Sequence, residues 1–76
     1  MSRGIPLNVI DTGRQATVDT VCGGENMCKK LMEMGVNKGA VIEMVKNDSG
    51  SIIIKLGESR LVLARGMAQK VLVQEL

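Results

Sequence analysis

Three short stretches, Ala40 to Lys46, Ser51 to Leu56 and Arg60 to Ala64, follow one another with only tight turns between them. In the first, Val41, Glu43 and Val45 alternate with Ile42, Met44 and Lys46, the period of two that sends successive side chains to opposite faces of a strand. The second is β-branched and apolar, and in the third Arg60 leads into Leu61, Val62, Leu63 and Ala64. The cluster Asn47-Asp48-Ser49-Gly50 and the triplet Gly57-Glu58-Ser59 carry residues suited to turns, so the three stretches read as a meander of hairpins.

Two more strands flank it. Gln15 to Val21 alternates, with Ala16, Val18 and Thr20 on one side and Thr17 and Asp19 on the other, until Val21 breaks the pattern. Lys70 to Gln74 places Val71 and Val73 on one face. The pair Gly23-Gly24 punctuates the first of these, and Glu25 to Met34 then changes period. On a helical wheel Met27, Leu31 and Met34 form one stripe with Cys28 beside it, and Lys29, Lys30 and Glu33 fall on the opposite arc. Asn26 or the preceding glycine can cap this helix, and Glu25 sits at the positive end of its dipole. Gly35 stands where a left-handed terminator belongs, with Val36 as its hydrophobic contact.

Arg65 to Gln69 reads as a single helical turn, and Gly4 and Pro6 as a loose N-terminal lead-in. About five strands joined this tightly, with one helix inserted after the first, predict a mainly β fold. The expected form is a small closed or half-closed barrel, because closure removes exposed edges. Lys70 to Gln74 reads as an edge strand, and weak self-association through such an edge is left open by the sequence.

Composition narrows the functions open to such a fold. A chain of 76 residues buries about 60% of its extended surface, enough for one small domain over residues 1–76. The chain has 45% apolar and 24% charged residues, a globular balance. It contains no Phe, Tyr, Trp or His. Without rings there is no platform for stacking bases and no aromatic groove or cage. Without His, the commonest general base and metal ligand is missing, which argues against an enzyme. A net charge of +2, evenly spread, is too small for a nucleic-acid footprint. The start MSRGIPLNVIDTGRQ has no apolar core of signal-peptide length, and no apolar run approaches a membrane span. Two cysteines are too few for a secreted disulfide scaffold. The expectation is a cytoplasmic protein with no direct membrane insertion, no cofactor and no nucleic-acid partner.

Two groups of residues remain as candidates for chemistry or contact. Cys22 and Cys28, with five residues between them that include the glycine pair, offer a thiolate site for iron or a redox pair. A metal would need three or four ligands, and the nearby donors are only Glu25, Asn26, Met27 and Met32. Alternatively Cys28 packs as a small hydrophobe and Cys22 ends a strand. The internal methionines Met27, Met34, Met44 and Met67 are accounted for as flexible bulk in a core without rings. Met32 lies at the margin of the buried stripe and suits a partner contact. Lys29, Lys30 and Glu33 form either a solvated face or, with Gly23, Gly24 and Met32, a docking surface. The glycine pair lacks the Lys-Ser/Thr sequel of a phosphate loop and serves as a tight strand-to-helix turn.

The ordered set of these features resembles the FeoA family, small bacterial proteins with an SH3-like β-barrel that accompany the ferrous-iron transporter FeoB. The resemblance runs from about Leu7 to Val73. It is carried by Leu7, Gly13 and the run ATVDTV, then by GGENMCKKLMEMGVNKG with Leu31, Gly35 and Gly39 at the family's spacing, and last by LVLARGMAQKVLV. One departure is Lys38-Gly39, where the family commonly has Pro-Gly, a change within a turn. The resemblance implies a non-enzymatic accessory protein that binds the cytosolic part of a FeoB-like GTPase transporter and modulates it by contact. Two alternatives share the barrel or the cysteines. One is a small iron-binding or iron-sensing domain using Cys22 and Cys28. The other is a stand-alone relative of the C-terminal barrel of iron-dependent repressors, without the DNA- and metal-binding segments that normally precede it.

Overall fold

The structure is a computed structural model, and it describes residues 4–21 and 24–76. In chain order the elements are β1 (Ile5–Pro6), a 3-10 turn (Leu7–Val9), β2 (Gln15–Val21), α1 (Glu25–Glu33), β3 (Val41–Asn47), β4 (Ser51–Leu56), β5 (Ser59–Ala64), α2 (Arg65–Ala68) and β6 (Val71–Glu75). The six strands of the described residues form one antiparallel sheet in the order β1-β6-β2-β3-β4-β5. The mainly β architecture with one helix after the long first strand is as the sequence predicts, and β3, β4 and β5 are the expected meander.

Two expectations fail at the other side of the sheet. The segment Lys70 to Gln74 was expected at an edge, but β6 lies inside, between β1 and β2. The cause is burial: Val71 and Val73 are both fully enclosed, and a strand so buried has neighbours on both sides. The lead-in at Gly4 and Pro6 is not loose. Ile5 pairs with Val73 and Pro6 with Leu72, adding a sixth strand. Pro6 is tolerated there because an edge strand leaves one row of donors unused. A Cβ on Gly4 would meet the Cβ of Leu72 at 2.7 Å, so the backbone closes on β6 at a distance only glycine allows.

Bulges explain the broken alternation. The register of β2 against β6 shifts between Val18 and Thr20. Ala16 and Val18 point into the core, whereas Thr20, expected on the same side, is exposed and Val21 packs inward. The register of β3 against β4 shifts in the same way between Met44 and Lys46. An extra residue bends and twists its strand, and these two bends wrap the sheet around its contents. The edges β1 and β5 share no ladder, so the barrel is half-closed.

The interior holds Ile42 and Met44 from β3, Ile52 and Ile54 from β4, Leu63 from β5 and the two valines of β6. No buried polar or charged residue accompanies them among the described residues. Side chains without rings fill this space with branched aliphatics and one flexible thioether, Met44. A polar corner ties three segments together. Asn47 at the end of β3 donates through Nδ2 to the carbonyls of Asn8 and Ile10, at 3.0 and 2.9 Å. The Arg65 guanidinium at the start of α2 donates to Asn47 Oδ1 at 2.8 Å and to the Asp48 carbonyl at 2.5 Å.

Candidate functional site

The helix α1 is fixed along one stripe and open along the other. Leu31 is fully buried, and Met27 and Met34 pack against the core from the same side. At the N-terminus Gly24 is the cap, its carbonyl accepting the Cys28 N–H at 3.0 Å, and no side chain caps the helix. Glu25 occupies the first turn, where its charge opposes the dipole's positive end. The C-terminus is a complete Schellman arrangement. The Gly35 N–H donates to the Met32 carbonyl at 3.0 Å, and the Val36 N–H to the Leu31 carbonyl at 2.9 Å. Gly35 has φ of 96°, which an L-residue rarely adopts, and buried Val36 supplies the apolar contact expected from the sequence.

The outer side of α1 carries the sequence-predicted contact residues. Lys29, Lys30, Met32 and Glu33 are all exposed, with Met32 at 55%. Residues one turn apart line a shallow depression made by Glu25, Cys28, Lys29, Met32, Glu33 and Asn37. Its centre is apolar and soft, a thioether beside a half-buried thiol, and its border carries both signs of charge. A methionine in such a place can repack against different surfaces, while charges around it fix orientation. Lys30 lies on the exposed arc beside this depression without lining it. Gly24 holds the helix start, with φ of 91°.

Cys22 and Gly23 lie outside the described residues, so the proposed cysteine pair is placed only at Cys28. The Cys28 thiol donates to the Val21 carbonyl at 3.3 Å and thereby ties the helix to the end of β2. Among the described residues no three Cys, Asp, Glu or His side chains converge as a metal site would require. The sequence reading took Asn47 for a turn residue and did not foresee the Asn47–Arg65 corner. A signal was present, because Asn stands at the boundary between a strand and its turn, with an Arg where a later strand ends.

Comparison with known proteins gives this arrangement a family. Residues 5–75 match the FeoA domain. A candidate Fe(2+) transport protein A from Methanocaldococcus jannaschii is 29% identical over 70 residues, covering 92% of this chain and 85% of that protein. The crystal structure of an iron uptake regulatory protein (FeoA) superposes with a TM-score of 0.89 at 33% identity, covering 95% of this chain and 97% of that one. A manganese-dependent transcriptional repressor in complex with manganese shares the fold, with a TM-score of 0.89 at 16% identity. All of this chain is covered and 38% of the repressor. The half-closed barrel, the Leu31-to-Gly35 helix end and the match over residues 5–75 place the chain in the FeoA family.

Proposed function

We propose that this chain is a non-enzymatic cytoplasmic accessory of ferrous iron uptake. In this reading it docks on the cytosolic part of a FeoB-like GTPase transporter through the outer side of α1. The contact set is Gly23, Gly24, Lys29, Lys30, Met32 and Glu33. The observation that carries it is Met32, 55% exposed in an apolar depression bordered by Glu25, Lys29 and Glu33. This helix is anchored by its opposite stripe, so its outer side is free to meet a partner without disturbing the core. Family membership and the Fe(2+) transport name of the archaeal relative support the iron connection. No helix among the described residues is long and apolar enough to cross a bilayer. The engaged Cys28 thiol favours contact over direct iron binding.

Mechanistically, an accessory of this kind acts by binding one transporter state more tightly than another, since equal affinity for both would shift nothing. The test is an NMR titration of the labelled chain with the transporter's cytosolic domain, loaded with GDP or a GTP analogue, beside a titration with ferrous iron. Shifts along residues 24–34 with the domain, stronger in one nucleotide state and absent with iron, are expected. Shifts at Cys28 with iron and none with the domain would replace this reading with the iron-binding one.

A further inference from the structure

The sheet ends on one side at β1, two residues long with a proline, and on the other at β5, six residues long. The two-residue loop between Leu56 and Ser59 sets which backbone groups of β5 are free. Residues flanking such a loop exchange ladder bonds, so Ser59, Leu61 and Leu63 turn their N–H and C=O groups to β4. Arg60 and Val62 turn theirs outward. The neighbouring ladder agrees: Ser51 points its carbonyl to the β3 side, where it accepts the Asp48 N–H at 3.1 Å. Among the described residues the outward groups of Arg60 and Val62 make no backbone bond to any loop, turn or helix.

Exposed edges are normally blunted by shortness, proline or charge. The β1 edge has two of these devices. The β5 edge has one charge, at Arg60, and two residues on it presents Val62 at 68% exposure. The charge is also unbalanced. Arg60 stands directly opposite Lys55, both are exposed, and neither has an ion-pair partner among the described residues. Like charges facing each other across a ladder repel. Glu43 precedes Lys55 on the same rung, so the rung reads acid, base, base, and its next place lies just beyond β5.

We infer that the β5 edge is a docking site for an extended acidic segment of a partner protein. The segment adds a strand with Glu or Asp opposite Arg60 and an apolar residue opposite Val62. Main-chain bonds to Arg60 and Val62 supply the attachment, and the carboxylate and apolar side chain supply the selection. A second copy of this chain is a poorer occupant. Two β5 strands paired antiparallel about Val62 set Arg60 against Ala64 and leave Arg60 of both copies without an acidic neighbour. This surface shares no residue with the depression on α1 and stands independently of the transporter reading.

The test uses the full, isotope-labelled chain and the peptide acetyl-Thr-Val-Thr-Glu-Thr-amide, which in antiparallel register sets its Val against Val62 and its Glu against Arg60. Binding at about millimolar peptide is expected. It is read as downfield shifts and slowed exchange of the Arg60 and Val62 amides. A peptide with Lys in place of Glu should bind about five-fold or more weakly, and Arg60→Glu should reverse that preference. A peptide N-methylated at its Val and Glu should not bind, because its strand donors are gone. Equal binding of the N-methylated peptide, or no response at Arg60 and Val62, would overturn the proposal. So would a peptide-free dimer dispersed by Val62→Lys, which would assign the edge to a second copy. Met32→Lys should leave peptide binding unchanged, so loss of transporter binding in that variant leaves this inference standing.

Discussion

The corner around Asn47 and the outer side of α1 use their polar atoms in opposite ways. At the corner, side chains of Asn47 and Arg65 make four hydrogen bonds that span between 17 and 39 residues of chain. On α1 the one such side-chain bond among the described residues is the Cys28 thiol to Val21, and every charged group faces water. The corner converts polar groups into fixed geometry, joining the N-terminal segment, a hairpin and α2. The helix obtains its position from an apolar stripe and a backbone cap, and keeps its polar groups free. A surface free in this way can change partners without changing the fold.

Five substitutions test that contrast. Leu31→Ala removes the one fully buried side chain of α1 and should destabilise by about 2–5 kcal/mol in urea unfolding. A loss below about 1 kcal/mol would mean that the helix is not anchored as described. Asn47→Ala should cost about 2–3 kcal/mol, because two partly buried carbonyls and a guanidinium lose their partner together. If the loss stayed below about 1 kcal/mol, the corner would carry little of the stability.

Gly35→Ala forces an L-residue to positive φ and brings its Cβ to 2.9 Å from Leu56, for a loss of about 1–2 kcal/mol by thermal unfolding. Glu75→Gln breaks a pair with Arg14 at 2.6 Å between partly exposed groups. It should cost under about 0.5 kcal/mol, with the difference vanishing in high salt. Met32→Lys should leave stability within about 0.5 kcal/mol of the parent while weakening transporter binding about ten-fold, by calorimetric titration. The first four move stability and the last moves affinity, and a variant at Met32 that unfolded the chain would erase the distinction.

What the sequence made legible depended on whether the signal was local. The α1 stripe, its Gly35 terminator and the Val36 contact were readable because all the interacting residues lie within one or two turns. The hairpin turns were readable for the same reason. The break at Val21 was visible, but its cause was not, since a bulge is defined against a partner strand some fifty residues away. Burial of β6 on both sides was hidden because its five residues carry only two inward valines, as an edge strand also could. For the candidate site, the wheel alone set Lys29, Lys30 and Glu33 on the outer arc and Met32 at its margin, while the cap stayed open between Asn26 and the preceding glycine. Asn37 in the depression and the Asn47–Arg65 corner depend on chain segments brought together by the sheet, and no periodicity encodes them.

The position of β6 has a consequence for how the chain is made. It joins β1 and β2, pairing Val73 with Ile5 and with Val18, so the sheet's first two strands stay apart until nearly the last residues are available. The β3–β4–β5 meander needs only neighbouring residues and can form early, whereas the other half waits for closure over most of the chain length. During synthesis β2 and the start of the chain therefore leave the ribosome without their common partner. For that interval Val18 lacks Val73, its neighbour across the β2–β6 ladder.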